Sequence, residues 1–142
     1  MGIATILKDK GGEVYSVPRS ALVADVVAAL VERRIGAVLV RDGAELVGIV
    51  SERDIIRCLF EHRGDVLGLT AGEVMTAPLI TISAGDSVVE AMELMTDRRI
   101  RHLPVMESGQ LAGLVSIGDL VKRRIAEAEQ EALALKDYIT TG

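Results

Sequence analysis

The chain consists of two copies of one unit, and this repeat restricts its possible folds more than any other feature. When the sequence is shifted against itself by 65 residues, residues 14–57 align with 79–122 without a gap. At most apolar positions Leu, Ile, Val and Met exchange with one another. A repeat of about 45 residues is too small to bury its own apolar face, so the two copies are expected to pack together. Ten of the 44 aligned positions are identical, namely Val23/Val88, Arg33/Arg98, Arg34/Arg99, Ile35/Ile100, Val40/Val105, Leu46/Leu111, Gly48/Gly113, Val50/Val115, Ser51/Ser116 and Asp54/Asp119.

Each copy is predicted to fold as strand, helix, strand, strand and helix. The helical segments have apolar residues spaced i, i+3, i+4, i+7, and the later strands are joined by polar turns. We therefore predict an α/β (α+β) fold of two β-α-β-β-α repeats, packed sheet to sheet with pseudo-two-fold symmetry, plus a C-terminal helix. The expected elements are strands at 14–17 and 79–82, helices from Val23 and Val88, strands at 37–40, 45–50, 102–105 and 110–115, and last helices from Ser51 and Ser116.

The expected boundaries divide the chain into a first repeat with its lead-in at 1–63, a second repeat at 64–125 and a helical tail at 126–142. Two segments, Ser83–Asp86 and Thr70–Glu73, match the capping-box pattern, and the second is predicted to open a short helix. Apolar residues of the tail are spaced 3, 4, 3 and 4, as in a heptad repeat. Two interpretations remain open for this helix: it lies on its own body, or it contacts a second subunit. The residues of the stripe are Ile125, Ala128, Ala132, Leu135 and Ile139.

Composition argues against several classes of partner. The net charge is −5 and aromatic residues make up 2% of the chain, so neither duplex DNA nor stacked single strands are expected partners. No run of 18 apolar residues predicts a membrane span, and residues 1–15 do not resemble a signal peptide. The single cysteine, Cys58, cannot form an intrachain disulfide, so a reducing cytoplasm is the expected location.

Residues suited to catalysis or metal binding are scarce. Cys58 and His62 lie four apart in one predicted helix, but no third group is placed to orient the histidine. Two such ligands do not make a metal site. The glycine patterns of phosphate-binding loops and dinucleotide-binding turns do not occur in the sequence. We expect neither an enzyme nor a bound metal.

The strand-to-helix junctions carry the candidate functional residues. Both copies place Ser-x-x-Asp where the third strand meets the last helix, at Ser51–Asp54 and Ser116–Asp119. The motif is a helix cap on one interpretation. On the other, the helix N-terminus binds a phosphate and the carboxylate accepts hydrogen bonds from a ribose diol. The two interpretations are compatible.

The repeat pattern, these junctions and the strand Ile100–Val105 resemble a tandem pair of CBS domains, named after the cystathionine β-synthase regulatory region. The lead-in Gly72–Thr76 is also typical, and the resemblance runs from about residue 3 to about residue 125. It implies a stand-alone regulatory module that binds AMP, ADP, ATP, NAD or S-adenosylmethionine in clefts between the copies, with AMP or NAD expected first. It also implies a homodimer that signals to a regulated protein which the sequence does not identify. A ligand-free structural or partner-regulating dimer is the alternative.

The resemblance also assigns roles to individual positions. Asp54 and Asp119 are expected to hold ribose hydroxyls, with Ser51 and Ser116 near ribose or phosphate. The remaining positions are Ser16 and Thr81, which would line the base pocket, and Ile35, Gly36, Ala37, Ile100, Arg101 and His102, which would contact base or phosphate.

The two sites are expected to be unequal. Arg101 and His102 in the second copy align with Gly36 and Ala37 in the first, so only the second copy brings cations to these positions. Arg101 is the expected phosphate donor. Arg98 and Arg99 are interpreted as cations at a helix end, where they complement the dipole.

Overall fold

The computed structural model describes residues 2–141. The chain divides into two compact units: one is Val14–Ile80, and the other combines the described residues up to Glu13 with those from Thr81 onward. These units do not coincide with the repeats, because each lead-in segment packs on the repeat that it does not precede. The expected repeat boundary at 63/64 stays a prediction. The division expected at 125/126 has no counterpart in the helix, which continues through it.

Both units follow the element order predicted from the sequence. The elements are α1 (Ile3–Lys10), β1 (Ser16–Pro18), α2 (Val23–Arg33), β2 (Ala37–Asp42), β3 (Glu45–Ser51), α3 (Glu52–His62), a 3-10 helix (Arg63–Gly68), α4 (Ala71–Val74), β4 (Ile82–Ser83), α5 (Val88–Arg98), β5 (His102–Glu107), β6 (Gln110–Ser116) and α6 (Ile117–Thr141).

Each unit contains one three-stranded sheet, as predicted. In the first sheet β1 is parallel to β2, and β2 is antiparallel to β3. The second sheet repeats this order with β4, β5 and β6. Even the irregularities coincide, since the register shifts after Val40 in one sheet and after Val105, 65 residues later, in the other. The repeat read from the sequence therefore extends to backbone detail.

The cores are aliphatic. In the Val14–Ile80 unit, the buried face of α2 packs on the sheet, and Cys58 of α3 joins the same cluster. The spacing that predicted the helix is thus the spacing of its buried side chains. The main members of this cluster are Val17, Val23, Val26, Leu30, Val38, Val40 and Val50.

The opening strands and one cap differ from the prediction. The strands begin two to three residues later than expected, at Ser16 and Ile82. The predicted capping box at Ser83–Asp86 is wrong, because it forms a turn in which the Ser83 amide donates to Asp86 Oδ2 over 2.9 Å. The helix begins only after Ser87, whose own capping box is closed by Glu90.

Two glycines mark where the lead-in segments pack. A Cβ atom on Gly113 would lie 2.6 Å from the side chain of Leu7 on α1. A Cβ atom on Gly48, 65 residues earlier, would overlap the side chain of Met75. Glycine permits both close approaches without a shift of Leu7 or Met75. The predicted helix after Thr70 is confirmed as α4, and Thr70 Oγ1 accepts from the Glu73 amide over 3.3 Å.

The tail does not lie on its own body. Helix α6 runs without a break for 25 residues, and the side chains of Leu135 and Ile139 are 61% and 69% exposed. Ala128 and Ala132 are exposed as well. The first of the two interpretations of the apolar stripe is therefore wrong. Among residues 2–141, no helix is both long enough and apolar enough to cross a bilayer.

Candidate functional site

In the Val14–Ile80 unit, the junction between β3 and α3 is closed by a full capping box. Ser51 Oγ accepts from the Asp54 amide over 3.3 Å, and Asp54 Oδ2 accepts from the Ser51 amide over 2.7 Å. The Ser51 hydroxyl also donates to Asp54 Oδ2 over 2.9 Å. The capping interpretation is confirmed at this position.

Asp54 has no free oxygen in this structure. Besides the Ser51 donors on Oδ2, its Oδ1 accepts from Arg57 over 2.7 Å and from the Thr76 hydroxyl over 2.8 Å. The residue is 4% exposed. A ribose diol reaches this carboxylate only by displacing donors of the protein. The expected ribose role of Asp54 stays a prediction.

The junction between β6 and α6 has the same frame but a different environment. Asp119 Oδ2 accepts from the Ser116 amide over 2.9 Å, and Ser116 Oγ accepts from the Asp119 amide over 3.2 Å. Lys10, the last residue of α1, donates to the same Oδ2 over 2.7 Å. The side chain of Asp119 is 25% exposed, and its Oδ1 accepts no hydrogen bond from the described residues.

The charge state of Asp119 reflects these contacts. Burial by itself raises the pKa of the carboxyl, but hydrogen bonds from Lys10 and Ser116 and the charge of Lys10 outweigh it. The pKa of Asp119 therefore lies below its usual value. The carboxylate is ionised at neutral pH and is a strong acceptor for hydroxyl groups.

Most of the other first-repeat candidates lie beside Ser51. Ala37 pairs with Ser51 across the sheet, and the carbonyl of Gly36 accepts from the Glu52 amide over 3.0 Å. Ser16 lies on the neighbouring strand, where its hydroxyl accepts from Arg41 over 3.2 Å. Ile35 is half-buried just before β2.

The second-repeat candidates have matching positions. His102 pairs with Ser116, and the carbonyl of Arg101 accepts from the Ile117 amide over 2.9 Å. The side chain of Arg101 is exposed, one residue before β5 rather than on a strand edge. Ile100 is half-buried beside it, and Thr81 is exposed one residue before β4.

The arginines at the helix ends have structural positions. Arg98 is the last residue of α5, and Arg99 ends the helix in the left-handed conformation with φ 55°. Arg33 and Arg34 do the same at the end of α2, with φ 54° at Arg34. The helix-end interpretation is confirmed for Arg98 and Arg99.

A pocket of about 280 Å³ lies beside Asp119 in the groove between α1 and α6. It is lined by the apolar side chains of Ile6 and Ala126 and by charged residues of both helices. Three of the charged residues are cations and two are carboxylates, so the lining carries both signs of charge. The charged lining residues are Asp9, Lys10, Asp119, Lys122 and Arg123.

Sequence reasoning missed three residues that contact the two carboxylates: Lys10, Arg57 and Thr76. Lys10 and Thr76 belong to the lead-in segments, and each reaches the repeat that it does not precede. A comparison of the repeats cannot reveal this, because the contacts join segments that do not align. The paired Gly48 and Gly113 were the available signal that another segment approaches closely.

Cys58 and His62 show no sign of a catalytic pair. Cys58 is buried in the core, and burial raises the pKa of its thiol, opposite to what a nucleophilic thiolate needs. The ring of His62 is exposed and lies 4.0 Å from Glu61. Among the residues that the structure describes, no three acidic, histidine or cysteine side chains are grouped as a metal ion requires.

Two matched α/β repeats, each with a Ser-x-x-Asp junction, define a tandem-repeat protein. A profile of the CBS domain matches residues 10–61 and 71–126, and the chain therefore belongs to the CBS-domain family. The resemblance is confirmed, and so is the expected fold class of two β-α-β-β-α repeats with a C-terminal helix. The packing of one sheet on the other stays a prediction.

This chain covers a different share of the length of each curated relative. The mitochondrial CBS domain-containing protein CBSX3 of Arabidopsis thaliana is 35% identical over 149 aligned positions, which cover 99% of this chain and 72% of the relative. The chain spans between 24% and 66% of other curated relatives.

Solved structures agree with the family. A putative signal-transduction protein with CBS domains from Burkholderia ambifaria is 42% identical with a TM-score of 0.85, over 89% of this chain and 95% of that one. The CBS domain protein PAE2072 from Pyrobaculum aerophilum, solved in complex with AMP, is 28% identical with a TM-score of 0.73, over 84% of this chain and 89% of that one.

Proposed function

We propose that this chain is a regulatory module that binds an adenine-containing ligand and passes its occupancy to a partner protein. The observation that carries the proposal is Asp119, an ionised and partly exposed carboxylate that Ser116 fixes at the start of α6 and whose Oδ1 is open. A carboxylate fixed in this way suits the two hydroxyls of a ribose. The AMP complex of the Pyrobaculum relative supports an adenosyl ligand.

The neighbours of Asp119 supply the remaining contacts in this proposal. Arg101 is an exposed cation close in sequence to the start of β5, and it is the proposed phosphate donor. His102 and Ile100 contact base or phosphate, Ser116 lies near the ribose, and Thr81 lines the base pocket. AMP and NAD, which carry both ribose and phosphate, are the first ligands to test.

The first repeat is proposed to act differently. All four hydrogen bonds to Asp54 come from donors of its own unit, and the residue is buried. We therefore propose that Asp54 is mainly structural and that a ligand binds first at Asp119. The buried and fully hydrogen-bonded Asp54 supports the alternative function, a structural or partner-regulating dimer without ligand, for the first repeat.

We also propose that the protein is a homodimer. Exposed apolar residues recur at repeat-equivalent positions on the last helices: Ile56 and Phe60 on α3, Val121 and Ile125 on α6. Two-fold dimers use the same patch on both subunits, and a surface repeated within one chain suits such self-association. A second molecule of this chain is the proposed partner that covers these helix faces.

A thermal-shift screen tests the sensor proposal. It compares adenosine, AMP, ADP, ATP, NAD, NADH and S-adenosylmethionine. A ligand at 100-fold excess over its Kd stabilises the folded state by about 2.7 kcal/mol. The melting temperature then rises by several degrees, at roughly 2–4 °C per kcal/mol. A larger shift with AMP than with adenosine is expected if Arg101 reads the phosphate. No shift with any of the seven compounds would overturn the proposal.

A further inference from the structure

Each lead-in segment delivers one donor to a Ser-x-x-Asp carboxylate. Thr76 donates its hydroxyl to Asp54 Oδ1 over 2.8 Å, and Lys10 donates its ammonium to Asp119 Oδ2 over 2.7 Å. The first donor is neutral and its acceptor is buried. The second is a cation, and both partners of the pair are partly exposed, 40% for Lys10 and 25% for Asp119. Of the two contacts, only the Lys10 contact is open to exchange with a ligand from solution.

The hydrogen-bond geometry at Asp119 requires this exchange for a diol that donates to both carboxylate oxygens. Oδ2 already accepts from the Ser116 amide and from Lys10, while Oδ1 is open to a new donor. A single hydroxyl fits on Oδ1 alone, whereas a diol bound in the bidentate manner donates one hydroxyl to each oxygen. Because a carboxylate oxygen accepts about two hydrogen bonds, one donor has to leave Oδ2. The Ser116 amide is part of the helix cap, so Lys10 is the donor that leaves.

Resting on the proposed function, we propose that Lys10 is the ligand-sensitive contact of this module: a ribose displaces its ammonium from Asp119 and thereby loosens the end of α1. Lys10 is the last residue of this helix and also donates to the carbonyl of Leu114 over 2.9 Å. The start of the helix stays anchored by the buried Ile3 and Ile6. Without the Lys10–Asp119 ion pair, its C-terminal end is held by the packing of Leu7 on Gly113 and by the ion pair between Asp9 and Arg123. Helix α1 thus reports the occupancy of Asp119.

The surroundings of Lys10 suit this exchange. The pocket of about 280 Å³ between α1 and α6 opens beside the ion pair and is lined by both of its members. A partly exposed ion pair contributes little net free energy, so a ligand can replace it at small cost. The pocket gives the displaced ammonium a hydrated position next to the ligand.

Calorimetry of the full chain with adenosine tests the proposal, because adenosine has no phosphate for Lys10 to bind. The variant Lys10→Met keeps the aliphatic stem and removes the competing charge. We expect it to bind adenosine about two- to fivefold more tightly than the wild type. Lys8→Met is the matched control, since Lys8 is exposed on the same helix and makes no ion pair with the described residues. The control variant is not expected to change the affinity.

Hydrogen exchange supplies a second readout. The Gly11 amide donates to the carbonyl of Leu7 over 2.7 Å and caps α1. Adenosine is expected to speed exchange at this amide in the wild type and to have little further effect in Lys10→Met. Unchanged or weaker adenosine binding by Lys10→Met overturns the role of Lys10 while leaving the proposed function intact. Failure of both proteins to bind any adenosyl ligand overturns the proposed function and this inference together.

Discussion

Asp54 and Asp119 occupy the same repeat position, but we expect the first to contribute mainly to folding stability and the second mainly to ligand affinity. Asp54→Asn leaves at least one buried donor without its acceptor, so stability is expected to fall by about 1–3 kcal/mol. Asp119→Asn loses part of a helix cap, which costs about 1 kcal/mol or less. It also loses charge-assisted bonds to the ribose, so ligand affinity is expected to fall about tenfold or more. Urea denaturation and calorimetry with AMP measure the two effects.

The double comparison contains its own control, because each variant is the reference for the other. Asp54→Asn is expected to bind AMP within about twofold of the wild type at a temperature where it is folded. A large loss of affinity in Asp54→Asn, with stability unchanged, would place the ligand on the first repeat. Equal AMP affinity in Asp119→Asn and the wild type would leave Asp119 as a cap alone.

Among the elements, α1 is held by the Lys10–Asp119 contact, and the contribution of this contact to folding stability is expected to depend on pH. The folded-state pKa of Asp119 is lowered, so the ionised form favours folding. The contribution is complete above about pH 4, the usual pKa of an unfolded Asp, and is lost as the pH falls through the lower folded-state pKa. We expect wild type to exceed Lys10→Met in stability by less than about 1 kcal/mol at pH 6 and pH 7.5 alike.

The difference between these two proteins is expected to shrink as the pH falls below about 4. Denaturant titrations at four or five pH values measure it, and Lys8→Met corrects for the general effect of one charge. A stability difference that instead grows in acid would contradict the assigned direction of the Asp119 pKa.

The helices with strong apolar periodicity were predictable from the sequence. The contacts that each lead-in segment makes with the repeat it does not precede were not. The spacing of Val23 to Leu30 gave α2 because the same residues are its buried face. Ser51–Asp54 was predictable as a cap because the motif is local in sequence. Lys10 and Thr76 were not, because their partners lie 109 and 22 residues away and only the folded chain brings them together. The cap at Ser83 was misplaced because Ser-x-x-Asp also forms a turn, and a second Ser-x-x-Glu follows four residues later.

For the molecule as a whole, we expect the exposed tail of α6 to set how two subunits meet in the proposed homodimer. With Ile125, Ala132 and Ile139 at heptad position a, four charged residues fall on the flanking positions e and g, namely Arg124, Glu129, Glu131 and Lys136. In a parallel pair, Arg124 of one copy lies opposite Glu129 of the other, and Glu131 lies opposite Lys136. Both pairs are of opposite charge, so we expect a parallel, in-register coiled coil.

Disulfide trapping measures this arrangement. Ala132→Cys places two thiols side by side in the parallel pair and is expected to cross-link rapidly under mild oxidation, whereas Gln130→Cys, on the outer face, is not. The native Cys58 is buried and gives little background. Adding Glu131→Lys sets like charges opposite each other and is expected to slow cross-linking, and adding Lys136→Glu as well restores the pair and the rate. A monomer by light scattering, or faster cross-linking at 130 than at 132, would show that the tail is not the parallel contact between subunits.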